Sequence, residues 1–176
     1  QFQHGKLTKD HSQKSEEWQK LMNNSTREFF RKWGTPVLHD NLLKPIVPPK
    51  YDIGFVVKNC NEQLLETLEP WCSTIYIGHD FDAKHYIDRE QPNTVVDLNK
   101  KIDSIRQLEK NNDIIVTFDG SQINQQNFNF IVQLSQILSN DEELEVGSFG
   151  SFELDIFEIT INNLQTYEGD LIKCGV

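Results

Sequence analysis

The 176-residue sequence predicts an α/β fold: a mostly parallel sheet between helices in a Rossmann-like three-layer arrangement, with a C-terminal antiparallel hairpin and an N-terminal helical extension. Three observations predict it. The runs IGFVV, TIYI and IIVTF are continuously apolar, as strands covered on both faces are. They alternate with stretches whose apolar residues recur at the helical period, the signature of parallel βαβ units. The composition also changes at Lys44-Pro45-Ile46-Val47-Pro48-Pro49, before which the chain is polar with a helical pattern.

Residues 1–34 are read as a helical tail. Ser15-Glu16-Glu17 precedes a helical face carrying Trp18, Leu21, Met22, Phe29, Phe30 and Trp33, and Gly34 with Pro36 closes the run. The pattern fits one helix, or two with a break at Asn23-Asn24. So many large apolar groups on a short helix need a surface to lie against, which is expected to be the rest of the chain or, failing that, a second copy. Residues 35–50 form a proline-rich linker. Residues 51–176 form the α/β domain, read as strand Ile53–Val57, helix Asn61–Trp71, strand Thr74–Ile77, a polar loop, strand Thr94–Leu98, helix Lys100–Lys110, strand Asp113–Phe118 and helix Ser121–Ser139. Leu64, Leu65, Leu68 and Trp71 make one helical stripe, and Leu98, Ile102, Ile105 and Leu108 another. A Phe-rich β region from Leu144 to Ile161 alternates apolar and acidic residues, as a half-exposed hairpin does, with its turn expected at Gly147-Ser148 or Gly150-Ser151. The residues after Gly169 are expected to be loose.

The formal charge of −10 is divided unevenly: residues 1–50 carry nine Lys/Arg against five Asp/Glu, and residues 51–176 eight against twenty-two. An acidic body repels phosphate backbones, so no nucleic-acid partner is expected. No run approaches a membrane span and the opening has no apolar leader core, which points to the cytoplasm. A chain opening at Gln1 rather than Met reads as an excerpt from a longer polypeptide. Cys60, Cys72 and Cys174 show no metal-binding spacing and are read as free thiols, the first two in or near the core.

Two constellations could carry chemistry. His79-Asp80-Phe81-Asp82, followed by His85 and Asp88, gathers imidazoles and carboxylates after the strand TIYI, and Asp80-Phe81-Asp82 satisfies the DxD pattern that holds a sugar-nucleotide metal. The same residues also suit a solvated loop whose aspartates cap turns. The second constellation is positional. If the strands are parallel, Asn59, Asp80 and Asp119 share the carboxyl-end rim where open sheets bind ligands, with Asp82 close by. Helix capping is the competing role for Asn59 and Asp119. Phe149, Phe152 and Phe157 could stack on a sugar, although phenylalanines on strands are more often core. No Walker loop, dinucleotide fingerprint, GxSxG or HExxH is present.

His4-Gly5-Lys6-Leu7-Thr8, Trp18-Gln19-Lys20-Leu21, Asn24, Phe29-Phe30 and Lys32-Trp33-Gly34 follow one another in a recognisable order. Residues 4–34 resemble the end of the catalytic module of inverting GT-A glycosyltransferases of the family-two-like class. The resemblance implies that the α/β domain follows a catalytic module of the same polypeptide, as an accessory or assembly domain in glycan biosynthesis. It also implies a metal role for His4, with Mn²⁺ or Mg²⁺ and a nucleotide sugar as the associated cofactors. The nucleotide-binding strands of such a module are not in this sequence, and Gly78-His79-Asp80 departs from the Asp-Asp-Gly-Ser pattern of a catalytic GT-A strand end. The alternative implied is a catalytic or nucleotide-sugar-binding unit with a metal-assisted acidic rim, its metal ligands drawn from His4, His79, Asp80, Asp82 and His85.

Overall fold

A computed structural model describes residues 9–46, 49–106, 111–141 and 144–167. His4, Leu108, Cys174 and the segment after Gly169 lie outside the described residues. The first element, α1 (Lys9–Trp33), is one unbroken helix, with no glycine or proline in its 25 residues. Gly34 ends it at φ +66 and donates its N–H to the Phe30 carbonyl, a conformation that costs a residue with a Cβ far more. The linker then makes a two-residue ladder between β1 (Leu38–His39) and β2 (Pro45–Ile46). Asp40 ties its turn by accepting from the N–H groups of Leu42 and Lys44 at 2.8 and 2.9 Å.

The domain runs β3 (Ile53–Lys58), α2 (Glu62–Leu68), β4 (Thr74–Ile77), α3 (Lys84–Glu90), α4 (Leu98–Lys101), β5 (Ile102–Ser104), β6 (Ile114–Asp119), α5 (Gln125–Asn140), β7 (Gly150–Leu154) and β8 (Phe157–Ile161). The sheet is six-stranded and mixed, in the order β5-β4-β3-β6-β8-β7. The first four strands are parallel, and β8 and β7 continue the sheet antiparallel. The chain winds outward from β3 to β5, then returns across to β6. The β3–β6 seam is therefore a topological switch point, with the ends of both strands on one rim.

Several expectations change. The β-branched run Thr94–Leu98 is not a strand: Gln91 donates its amide N–H to the Val96 carbonyl and accepts the Leu98 N–H, satisfying that backbone outside the sheet. Among the described residues, the helix expected over Lys100–Lys110 is reduced to α4, begun by the Asp97 cap at Asn99. Ile102 leaves its helical stripe to enter β5, because parallel pairing with Ile75 lets it bury against the sheet. The expected polar loop contains α3, whose buried Tyr86 and Glu90 sit four residues apart on one face. The hairpin turns at Asp155-Ile156, not at either glycine, with Asp155 at φ +54.

Buried side chains divide unevenly between the two faces of the sheet. One sheet face presents Phe55, Val57, Ile75, Val116, Phe118, Phe157 and Ile159, and these join Leu65 and Leu68 of α2, Tyr86 of α3 and Leu134 and Leu138 of α5 in the main core. Each such side chain, fully buried, contributes about 1.5–3 kcal/mol. The other face has only Val56, Tyr76 and Ile115, with Ile105 packed against them. No described helix contributes a side chain to this second cluster. The strands read as doubly covered because this small second cluster also buries the alternate positions of β3, β4 and β6. Asn112 lies over Gly54 there: a Cβ on Gly54 would stand 2.4 Å from the Asn112 Oδ1, which accepts from the Tyr76 hydroxyl while Nδ2 donates to Asp52.

Candidate functional site

The switch-point rim brings Asn59 and Asp119 together. Asn59 leaves β3 at φ +51, a conformation asparagine tolerates, and its Nδ2 donates to both Asp119 carboxylate oxygens at 3.0 Å. Asp119 also accepts the Ser121 hydroxyl at 2.7 Å and N–H at 2.9 Å, capping the turn that leads toward α5. The Ser121 hydroxyl first, and Asn59 next, hold its carboxyl below its ordinary value. Two of the four residues named for ligand binding, Asn59 and Asp119, are thus engaged with each other, and Asp119 with Ser121 as well.

The β4 end disperses its polar residues. Asp80 folds over Gly78, where a Cβ would meet its Oδ1 at 2.3 Å. Asp82 accepts the Lys84 N–H at 2.9 Å at the start of α3. His85 turns to α2, with Nδ1 at 2.9 Å from a Glu62 oxygen. Among the described residues, no three His, Cys, Asp or Glu side chains gather as a metal-ligating group. Two members of the set His79, Asp80, Asp82 and His85 have structural partners in different directions, Asp82 on the Lys84 N–H and His85 on Glu62. His79 and Asp82 do share an open cleft of about 400 Å³ with Asp88, Asn99, Asp103 and Ser104 at the ends of β4 and β5. Cys60 and Cys72 are free and buried, and burial pushes their thiols up to about 11 and about 12, so neither is poised as a nucleophile.

Phe149 and Phe152 are exposed on the β7 side, whereas Phe157 belongs to the core. Core burial thus holds for one of the three phenylalanines.

The strongest electrostatic feature was not legible in the sequence. Glu69, completely buried after α2, accepts from Arg31 Nη2 at 2.7 Å, Lys101 Nζ at 2.8 Å and the Tyr86 hydroxyl at 2.9 Å. Arg31 also bonds Glu90 and Glu28, each at 2.6 Å. Arg27 reaches Glu90 at 2.9 Å, the Tyr86 hydroxyl at 2.6 Å and the Glu66 carbonyl at 2.6 Å. Burial alone would raise the Glu69 carboxyl, but Lys101 and Arg31 hold it down at about 2. Three cations and three carboxylates from α1, α2, α3, α4 and their flanks close the network. The available signal was the spacing: Arg27 and Arg31 lie four apart, as do Tyr86 and Glu90, and Glu69 directly follows Leu68 in a buried stripe. Beside it Phe30 stacks on Trp71 at 4.3 Å between ring centroids, and Lys50 Nζ sits 4.2 Å from the Trp33 centroid.

This network welds the second half of α1 to the domain. The first half behaves otherwise: Trp18, Leu21 and Met22 are exposed, at 61%, 64% and 45%. Compared with known proteins, the chain matches no family model, no curated protein and no solved structure. No described helix is long and apolar enough to cross a membrane.

Proposed function

We propose that the chain is a C-terminal accessory or assembly domain of a glycosyltransferase in glycan biosynthesis, not catalytic by itself, and that α1 is the joint to the catalytic module. One observation carries the reading: α1 is clamped at one half by a closed, buried ion network and exposes Trp18, Leu21 and Met22 on the other. Such a helix transmits a fixed orientation to whatever covers its apolar half. The resemblance of residues 4–34 to the end of a GT-A module supplies the kind of partner, and a cytoplasmic setting and the boundaries 1–34, 35–50 and 51–176 go with this reading. The rim also supports a structural role, since Asn59, Asp82, Asp119 and His85 are spent on caps and hydrogen bonds.

The catalytic alternative, a nucleotide-sugar unit with a metal-assisted rim, is favoured only by the cleft at the ends of β4 and β5. A thermal-shift titration of the chain with nucleoside diphosphate sugars, with and without Mn²⁺, separates the two. The accessory reading expects no rise in Tm. A saturable rise abolished by Asp82→Ala would replace it with the catalytic one.

A further inference from the structure

The geometry points to β7 as a self-pairing edge, through which two copies of this chain join their sheets antiparallel about a two-fold axis at Phe152. The two edges of the sheet differ. β5 is a three-residue edge, whereas β7 runs five residues, all exposed, and has neither the lysine nor the proline that commonly blunts an edge strand. Among the described residues nothing pairs with its outer side. Around it lie Val146, Phe149, Phe152 and Leu154, with Phe149 84% exposed, so the free edge and the apolar patch coincide.

The register identifies the occupant. The Asn162 N–H bonds the Asp113 carbonyl on the β6 side, so by alternation the backbones of Phe157, Ile159 and Ile161 turn to β7. Their partners Leu154, Phe152 and Gly150 are thereby used, and the N–H and C=O groups of Ser151 and Glu153 point outward. A two-fold axis at Phe152 sets Ser151 against the second copy's Glu153 and Glu153 against its Ser151, so these outward groups meet as hydrogen-bonded pairs. The same register avoids placing Glu153 against itself, which an axis one pair along the strand would do. On this face the row reads Glu158, Glu153, then Ser151 and Thr160 of the second copy, with no acidic pair abutting another. On the opposite face Phe152 meets its own equivalent at the non-hydrogen-bonded position, where side chains lie closest, beside Ile159 of each copy. Gly150 stands opposite Leu154 and leaves room for it. An arbitrary acidic or basic peptide would not use this self-complementarity; a second copy does.

The test is sedimentation velocity over a concentration series, with register-specific cross-linking in a Cys174→Ser background. The expected result is a concentration-dependent dimer of the 20.5 kDa chain. Ser151→Pro removes only an outward N–H and should give a folded monomer. Phe152→Cys should form a covalent dimer under mild oxidation, since facing Cβ atoms at such a position are about 4.5–5.5 Å apart. Ser151→Cys, meeting its equivalent only diagonally at about 7–8 Å, should cross-link far more slowly. Trp18→Asp with Leu21→Asp should leave the dimer intact, which separates this contact from the joint proposed for α1. A single-chain mass at every concentration, a dimer that survives Ser151→Pro, loss of the dimer with the α1 variant, or equal cross-linking at 151 and 152 would each overturn the proposal.

Discussion

The two halves of α1 carry similar apolar side chains on one continuous helix and meet opposite surroundings. Trp18, Leu21 and Met22 face solvent, while Phe30 stacks on Trp71 and Arg31 is buried against Glu69. Apolar content alone does not decide which half docks. The difference lies in complementary chemistry on the domain: the second half supplies two guanidiniums at helical spacing to the buried carboxylates Glu69 and Glu90, whereas Trp18, Leu21 and Met22 of the first half stay exposed. An amphipathic helix is thus fixed here by its cations, with the aromatic contacts following.

The sharpest way to break this contrast is to remove the shared anion. Glu69→Gln leaves Lys101 buried without its counter-charge and Arg31 with Glu90 and Glu28 alone, and stranding a buried charge in this way costs about 3–5 kcal/mol. Urea denaturation should show a loss of that order, and α1 amides from Asn24 to Trp33 should lose hydrogen-exchange protection first. An effect below about 1 kcal/mol would mean that the network orients α1 without stabilising it.

The same carboxylate predicts a pH dependence of nearly that size. Glu69 sits at about 2 in the fold against an ordinary 4.5, and Glu90 is also lowered, with burial opposing and Arg31 and Arg27 driving the change. A depressed folded value means that the unfolded chain binds the proton first. The contribution is therefore fully present above about pH 4.5 and is lost as the pH falls toward about 2. The stability at stake for Glu69 is on the order of 3 kcal/mol. Chemical denaturation from pH 6 to pH 2.5 should show the fall, and Glu69→Gln should flatten it.

The buried charges behind both effects also hide part of the fold from its sequence. β3, β4, β6, α2 and α5 were legible because their apolar runs and stripes obey one period each; four parallel strands form, but the fourth is β5 and not the expected Thr94–Leu98. α3 was not, because its buried positions Tyr86 and Glu90 include a charge that reads as solvent-facing until Arg27 and Arg31, some sixty residues earlier, are placed beside it. β5 was hidden for a related reason: Ile102 fits the helical stripe begun at Leu98, and only the vacant edge of β4 makes the extended alternative better. On the rim, the meeting of Asn59 with Asp119 followed from parallel topology, whereas the scattering of Asp80, Asp82 and His85 depended on α3 and on Glu62.

A smaller effect tests the aromatic half of the clamp. Phe30→Ala removes the stacked ring over Trp71 but leaves every ion pair in place. Full burial of a phenylalanine would put the cost at about 3–5 kcal/mol, and this ring is only half-buried, so a loss of about 2 kcal/mol is expected in urea. A loss larger than that of Glu69→Gln would reverse the order of importance argued for the two kinds of contact.

The smallest effect is the most direct test of the contrast itself. Trp18→Ala with Leu21→Ala removes two large side chains from the unclamped half, yet each is more than 60% exposed and neither belongs to a core cluster. Alanine is also the best helix former, so the substitutions favour α1 locally by a few tenths of a kcal/mol. The stability of the isolated chain should therefore change by no more than about 0.5 kcal/mol, the range of surface substitutions that touch nothing. The same pair should weaken association wherever the apolar half is covered by a catalytic module, which a pull-down of the chain by that module would read. A destabilisation above about 1 kcal/mol in the isolated chain would show that this half already packs within it, and the asymmetry of α1, with the joint built on it, would fall.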